Sequence, residues 1–311
     1  MILKRNFTPL KVFSYVWLES LFALLLSTAV YVAFAHFEMK FLAFPVAPLT
    51  ILGTAIAIFL AFRNNTSYTR WWEARTLWAN LAGNSRIFTR QLIANADNAL
   101  ATGKGGDIAT VHAYKREMVY RQIAFAHALR LHLRQQSTWS DLVPFLNSDE
   151  YSALLTKSNK PNWLLHSQGK RIKDGIRMEI LGAFDNITLE PQLSAFNNWQ
   201  TLCERLKQTP VLRQYDYFSR TFVWVFIALF PFSLVGLFNS IPQMVIPFSI
   251  LLAFVFAMVQ RIGEVNEEPF ENKIQDVPMS AICNQIERDL REQLGESELP
   301  AAFEPKDGYL F

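Results

Sequence analysis

The chain has 311 residues, of which 51% are hydrophobic, including 26 Phe and 8 Trp, while 18% are charged. That mixture excludes a chain embedded in lipid throughout and points to lipid-facing blocks alternating with water-facing ones. The net charge of +3 is too weak an excess to indicate a nucleic-acid partner, and Cys203 and Cys283, without CxxC spacing, give neither a disulfide framework nor a metal site and read as reduced thiols on the cytosolic side.

Taken from the start, "MILKRNFTPL" puts basic residues ahead of a long apolar run with no small-residue cleavage site, so that run stays as a membrane anchor. Apolar blocks 12–37 and 44–62 form one pair, with Glu19 the single carboxylate near the start of the first. Each approaches or exceeds the roughly 20 residues that a helix needs to cross a bilayer. The second block continues as "LTILGTAIAIFLAFRNNTSYTRWWEARTLW" with no proline and no glycine after Gly53, which predicts one helix running from lipid into water. On such a helix, residues four apart share a face. Gly53, Ala57 and Ala61 make a small-residue stripe suited to close helix approach, and Thr54, Ile58 and Phe62 make a neighbouring stripe of graded bulk. The second stripe suits a pore wall, but the same spacing also suits lipid-facing or bundle-core positions. Water at the next level is favoured by Asn64, Asn65, Thr66, Ser67 and Thr69, a polar run that lipid would not tolerate. Trp71, Trp72 and Trp78 read either as an interfacial belt or as anchors of a water-facing bundle, and Arg70 and Arg75 beside Glu73 read as members of structural ion pairs with no ion-selecting role assigned.

Residues 63–217 form a helical water-facing region, with helices expected over 63–96, 115–136, near 162–182 and over 190–207. The loop "ATGKGGD" (101–107) lacks the GxxxxGK[ST] spacing of a phosphate cradle. Apolar blocks 221–238 and 241–260 form the second pair, interrupted mainly by Pro231 and Pro247, which read as kinks. Links inside the pairs are short and nearly uncharged, whereas Lys4, Arg5, Lys11, Arg63, Arg70, Arg75, Arg213, Arg220 and Arg261 crowd their outer ends. The positive-inside rule therefore puts those ends and both termini in the cytoplasm. In segment 261–311 an acidic turn, "EVNEEPFE", precedes an amphipathic helix that begins at Pro278 and carries Ile282, Ile286 and Leu290, and the tail docks on the water-facing helices. The fold class is all-α: four transmembrane helices in two hairpins plus a helical cytosolic region.

An enzyme is not expected. HExxH, GxSxG and Walker sequences are missing, and His36, His112, His127, His132 and His166 are scattered, with His127 and His132 five apart rather than four. No catalytic residue and no metal site are assigned. A secondary transporter is a remote alternative, because such proteins place charged groups inside their spans and these spans are nearly free of them.

The segments "GTAIAIFLAFRN" leading into "SYTRWWEARTLW", "CERL" (203–206), "GEVNEEPF" (263–270) and "QDVPMSAICNQIERDL" (275–290) together resemble the bestrophin family of ion channels, in its bacterial branch. The resemblance runs over nearly the whole chain and makes 1–311 a single bestrophin-like domain. It implies a homopentamer with one pore on the five-fold axis, lined by the second membrane helix. The family's hydrophobic neck of three residues spaced by four falls on Thr54, Ile58 and Phe62, and its cytosolic aperture falls on Ile187. It also implies passive conduction of monovalent ions across the bacterial inner membrane, chloride favoured, with a sodium-permeable pore of the same fold as the alternative. The expected partners are further copies of the chain, the lipid bilayer and small inorganic ions, with no nucleic acid. Two positions depart from the family pattern. Thr54 puts hydroxyls where the neck is usually apolar, and "PFENKIQD" offers only Glu271 and Asp276 where calcium-activated relatives have a run of aspartates. A calcium clasp needs six to eight oxygens, so no cofactor is expected.

Overall fold

A computed structural model describes residues 1–2, 8–103 and 105–310; Lys4, Arg5 and Lys104, used in the charge and loop readings, lie outside them. In chain order the helices are α1 (Pro9–Ser14), α2 (Trp17–Ala35), α3 (Val46–Ala101), α4 (Ile108–Leu133), α5 (Ser148–Leu155), α6 (Lys160–Arg177), α7 (Asn186–Gln208), α8 (Arg213–Leu237), α9 (Val245–Val265) and α10 (Met279–Gln293). Short 3-10 turns occupy Lys40–Leu42, Trp139–Phe145 and Pro242–Met244. Among the described residues no strand forms; Ile2, Lys306 and Tyr309 make only isolated bridges.

Four stretches are long and apolar enough to span a membrane: Trp17–Ala35, Lys40–Ala101, Arg213–Leu237 and Pro242–Val265. They carry the four apolar blocks. The helix expected over 63–96 is not a separate element. It is the second half of α3, whose 56 residues would span about 84 Å at 1.5 Å each. The other helices start or stop a few residues from their expected ends, and α5 was not anticipated. It is short and is fixed by its cap, the Asn147 side chain accepting the Glu150 backbone N–H. Pro231 does lie inside α8, but Pro247 sits in the first turn of α9, where its missing N–H leaves no helical bond unmade.

Contacts divide the chain into two units, although the motifs read as one domain. One unit comprises Lys4–Trp71 and Pro210–Glu268. Its core joins Ala23 of α2, Leu49, Ile56 and Leu60 of α3, Val223, Phe226 and Ile227 of α8, and Ala253 of α9. A second cluster joins Val30, Phe34, Leu234, Val235 and Val245. Ser20, Ser27, Ser233 and Ser249 are buried in this unit, small residues that let apolar helices approach closely. Gly53 serves the same purpose: an added Cβ would lie 2.9 Å from Cε2 of Phe226. Ala57 and Ala61 are exposed, so the small-residue stripe is split and only Gly53 makes a close contact within this unit.

The other unit comprises Met1–Leu3, Trp72–Thr209 and Pro269–Phe311. Its centre is α4, with Met118, Ile123, Phe125 and Leu129 fully buried. Phe196 of α7 packs edge-on against Phe88 of α3 and tilted against Phe125. Arg121 of α4 is buried but fully engaged, donating to Glu150 and Glu117, while Glu117 also takes Arg171 at 2.8 Å. Burial alone would raise the Glu117 carboxyl; the Arg171 and Arg121 hydrogen bonds outweigh it and hold the group below the usual range. α10 begins just after Pro278 and buries Ile282, Ile286 and Leu290 as expected. The tail runs back along it, with Phe303 N–H on Asn284 Oδ1 at 3.0 Å and Arg291 on the Glu298 carbonyl at 2.8 Å. Cys203 and Cys283 are unpaired and buried rather than presented to solvent, and burial pushes both thiols up to about 12.

Candidate ion pathway

Burial along α3 follows the helical repeat. Leu49, Gly53, Ile56, Leu60, Arg63 and Ser67 are buried, at alternating spacings of four and three. At 3.6 residues per turn Ile58 points directly away from this core, with Thr54 and Phe62 about 40° to either side of it. All three are exposed, Ile58 at 53% and Phe62 at 69%. The stripe is therefore not part of the chain's own core. Thr54 donates its hydroxyl hydrogen to the Thr50 carbonyl at 2.9 Å, which turns an oxygen lone pair outward.

The polar run after the stripe is sorted by the same repeat. Asn64 turns inward and donates to the Val259 carbonyl at 2.9 Å, and Ser67 is fully buried, whereas Asn65, Thr66 and Thr69 stay exposed. Periodicity over one more turn, i+3 from Phe62, would have singled out Asn65. The tryptophans also separate: Trp78 is a core anchor with no exposed surface, and Trp72 is 56% exposed.

Behind the stripe, buried Arg63 donates to Asp216 at 2.6 Å, to Ser219 at 3.0 Å and to Glu267 at 3.3 Å. Arg220 lies 3.4 Å from Asp216 and 3.5 Å from Glu264, and Arg261 lies 2.7 Å from Glu264. This network clamps α3, α8 and the end of α9 together. Burial raises the Glu267 carboxyl, and Arg63 offsets that only in part. The acidic turn is thus a structural tie in this unit, a role its charge density alone did not reveal.

In the other unit, Glu73 pairs with Arg205 of α7. Arg70 donates to the Glu267 carbonyl within its own unit at 3.1 Å. The "CERL" residues are ties as well. Cys203 and Leu206 are buried, and Glu204 accepts from Gln200 at 2.8 Å and Asn159 at 3.0 Å and faces His132 at 3.3 Å. His127 faces Glu287 of α10 at 3.6 Å, so the two histidines of α4 turn to different partners.

Ile187 lies in the first turn of α7 and is 65% exposed. Phe184, whose carbonyl accepts the Ile187 N–H at 2.9 Å, is exposed too. Of the two carboxylates offered by the acidic turn's continuation, Glu271 is bonded to Lys207, and Asp276 accepts from the Lys273 N–H at 3.0 Å. Burial raises the Asp276 carboxyl.

The family model for the bacterial/fungal bestrophin protein matches residues 6–292. The chain is 33% identical over 276 residues to the voltage-dependent anion channel-forming protein YneE of Escherichia coli strain K12, covering 89% of this chain and 84% of that one. It is 31% identical over 252 residues to the voltage-dependent anion channel-forming protein RSc3414 of Ralstonia nicotianae, covering 81% and 78%. The crystal structure of a bacterial bestrophin homolog from Klebsiella pneumoniae, 29% identical, matches with a TM-score of 0.81 over 91% of this chain and 100% of that chain.

Proposed function

Because the chain belongs to the bacterial and fungal bestrophin family, we propose that it assembles as a homopentamer in the bacterial inner membrane and conducts monovalent anions, chloride foremost, passively through a neck formed by Thr54, Ile58 and Phe62. The observation that carries this reading is the exposed face of α3 set opposite its own core. Ile58 and Phe62 are left bare by their own subunit, and rings of such residues around an axis would make a narrow apolar constriction that gates by wetting. Ile187, exposed at the start of α7, is proposed as the second constriction. The names of the relatives support an anion channel. Both termini are assigned to the cytoplasm, from the basic ends of the spans.

Conduction is proposed to be independent of calcium and of any cofactor. This is supported by the engagement of Glu271 with Lys207 and of Asp276 with its own turn, which leaves few free oxygens for a hard cation. A metal site and catalysis have no part in this reading.

Reversal potentials of the purified protein in planar bilayers test it. Under a KCl gradient, repeated with NaCl and with a large impermeant anion, the potential is expected near the chloride value and unaltered by calcium or a chelator. A potential near the cation value would instead favour a sodium-permeable pore of the same fold. Saturating flux coupled to a second ion would indicate a transporter.

A further inference from the structure

We propose, resting on the channel reading above, that Asn65 is the group that receives an anion leaving the neck, and that its side-chain amide sets the preference for anions over cations. At 3.6 residues per turn, Thr54, Ile58, Phe62, Asn65 and Thr69 all fall within about 40° of the Ile58 direction. All five are exposed. An ion crossing the apolar stretch Ile58 to Phe62 sheds part of its hydration, and the next side chain on that line is Asn65.

An anion needs donor hydrogens, and the face is short of them. A hydroxyl has one hydrogen to give. Thr54 spends its own on the Thr50 carbonyl and Thr69 spends its own on the Asn65 carbonyl, both at 2.9 Å, and Thr66, at the edge of the face, spends its own on the Phe62 carbonyl at 3.0 Å. These three residues turn oxygen, not hydrogen, outward. Asn64 is committed inward to Val259. Of the five residues on that line, only the Asn65 side chain keeps uncommitted N–H groups, two of them.

The charges behind the face do not decide the ion's sign. Arg63, Arg220 and Arg261 are matched by Asp216, Glu264 and Glu267. Three positive and three negative groups in mutual contact project little net field, so the nearest dipole, the Asn65 amide, is left to discriminate. In a homopentamer it would recur five times around the axis.

The test is the anion-to-cation permeability ratio, read from reversal potentials under a KCl gradient, for wild type, Asn65→Gln, Asn65→Thr and Asn65→Asp, each confirmed to elute as wild type in detergent. Asn65→Gln keeps the donors and is expected to retain the anion preference. Asn65→Thr keeps polarity but gives its hydrogen to the backbone, and is expected to lower the ratio about five- to tenfold, the effect of one lost hydrogen bond. Asn65→Asp is expected to bring the potential to the cation side. An unchanged ratio in Asn65→Thr, with wild type anion-selective, overturns the assignment, and should Asn65→Asp fail to assemble, the Thr variant still decides. A cation-selective wild type also overturns it while leaving the channel intact, whereas a wild type without current removes the channel reading itself.

Discussion

Gly263, the first residue of "GEVNEEPF", shows what a single position does here. An added Cβ would lie 2.1 Å from Oδ1 of Asn64 and 3.8 Å from its Cα. Asn64 has no free direction to yield, since its amide nitrogen holds the Val259 carbonyl. Gly263→Ala is therefore expected to break that hydrogen bond and leave a buried carbonyl bare, at a cost of about 1–3 kcal/mol. The readout is a lowered melting temperature in detergent; an unchanged one would mean that Asn64 swings aside freely. That Glu73 is paired was evident from its basic surroundings, but its partner, Arg205, is 132 positions away in the chain. No local spacing reveals such a pair, because i, i+4 rules describe one helix surface only. Burial of Arg63 likewise depends on Asp216, Ser219 and Glu267 converging on it.

α3 is the element in which sequence and structure agree most fully. Its continuity from Val46 to Ala101 follows from the lack of a proline beyond its first turn, Gly53 and Gly83 being accommodated within it, and its outward stripe is visible in the sequence as Thr54, Ile58 and Phe62. What periodicity left open was which stripe faces the subunit's own core. The structure resolves this by burying Leu49, Ile56 and Leu60 against Val223, Phe226 and Ile227 of α8. With Thr54 on the exposed side, its outward oxygen would lower the cost of wetting the proposed neck. Thr54→Ile is accordingly expected to reduce open probability or unitary conductance severalfold in single-channel recordings, and Thr54→Ala to reduce it less. Equal, wild-type values in both variants would remove Thr54 from the gate. Elements such as α5 escaped notice because eight residues carry too little period to register, and a single cap at Asn147 fixes the helix.

At the scale of the whole molecule, apolar groups left uncovered call for partners. Ile58, Phe62, Phe184 and Ile187 are more than half exposed in the single chain, and the proposed homopentamer would bring copies of each around a common axis. Native mass spectrometry in detergent is expected to return five copies of the 35.8 kDa chain. A monomer or dimer that still conducts would refute the shared pore. The sequence by itself determined the class, the four apolar spans and the α3 stripe, because bilayer thickness and helical period act on residues close together in the chain. Only the tertiary structure decided that Gly53 and Asn64 turn inward while Asn65 stays out, and that the acidic turn and "CERL" are ties between helices. Those outcomes depend on which distant side chains arrive beside them, and on which hydrogen-bond donors are already spent when they do.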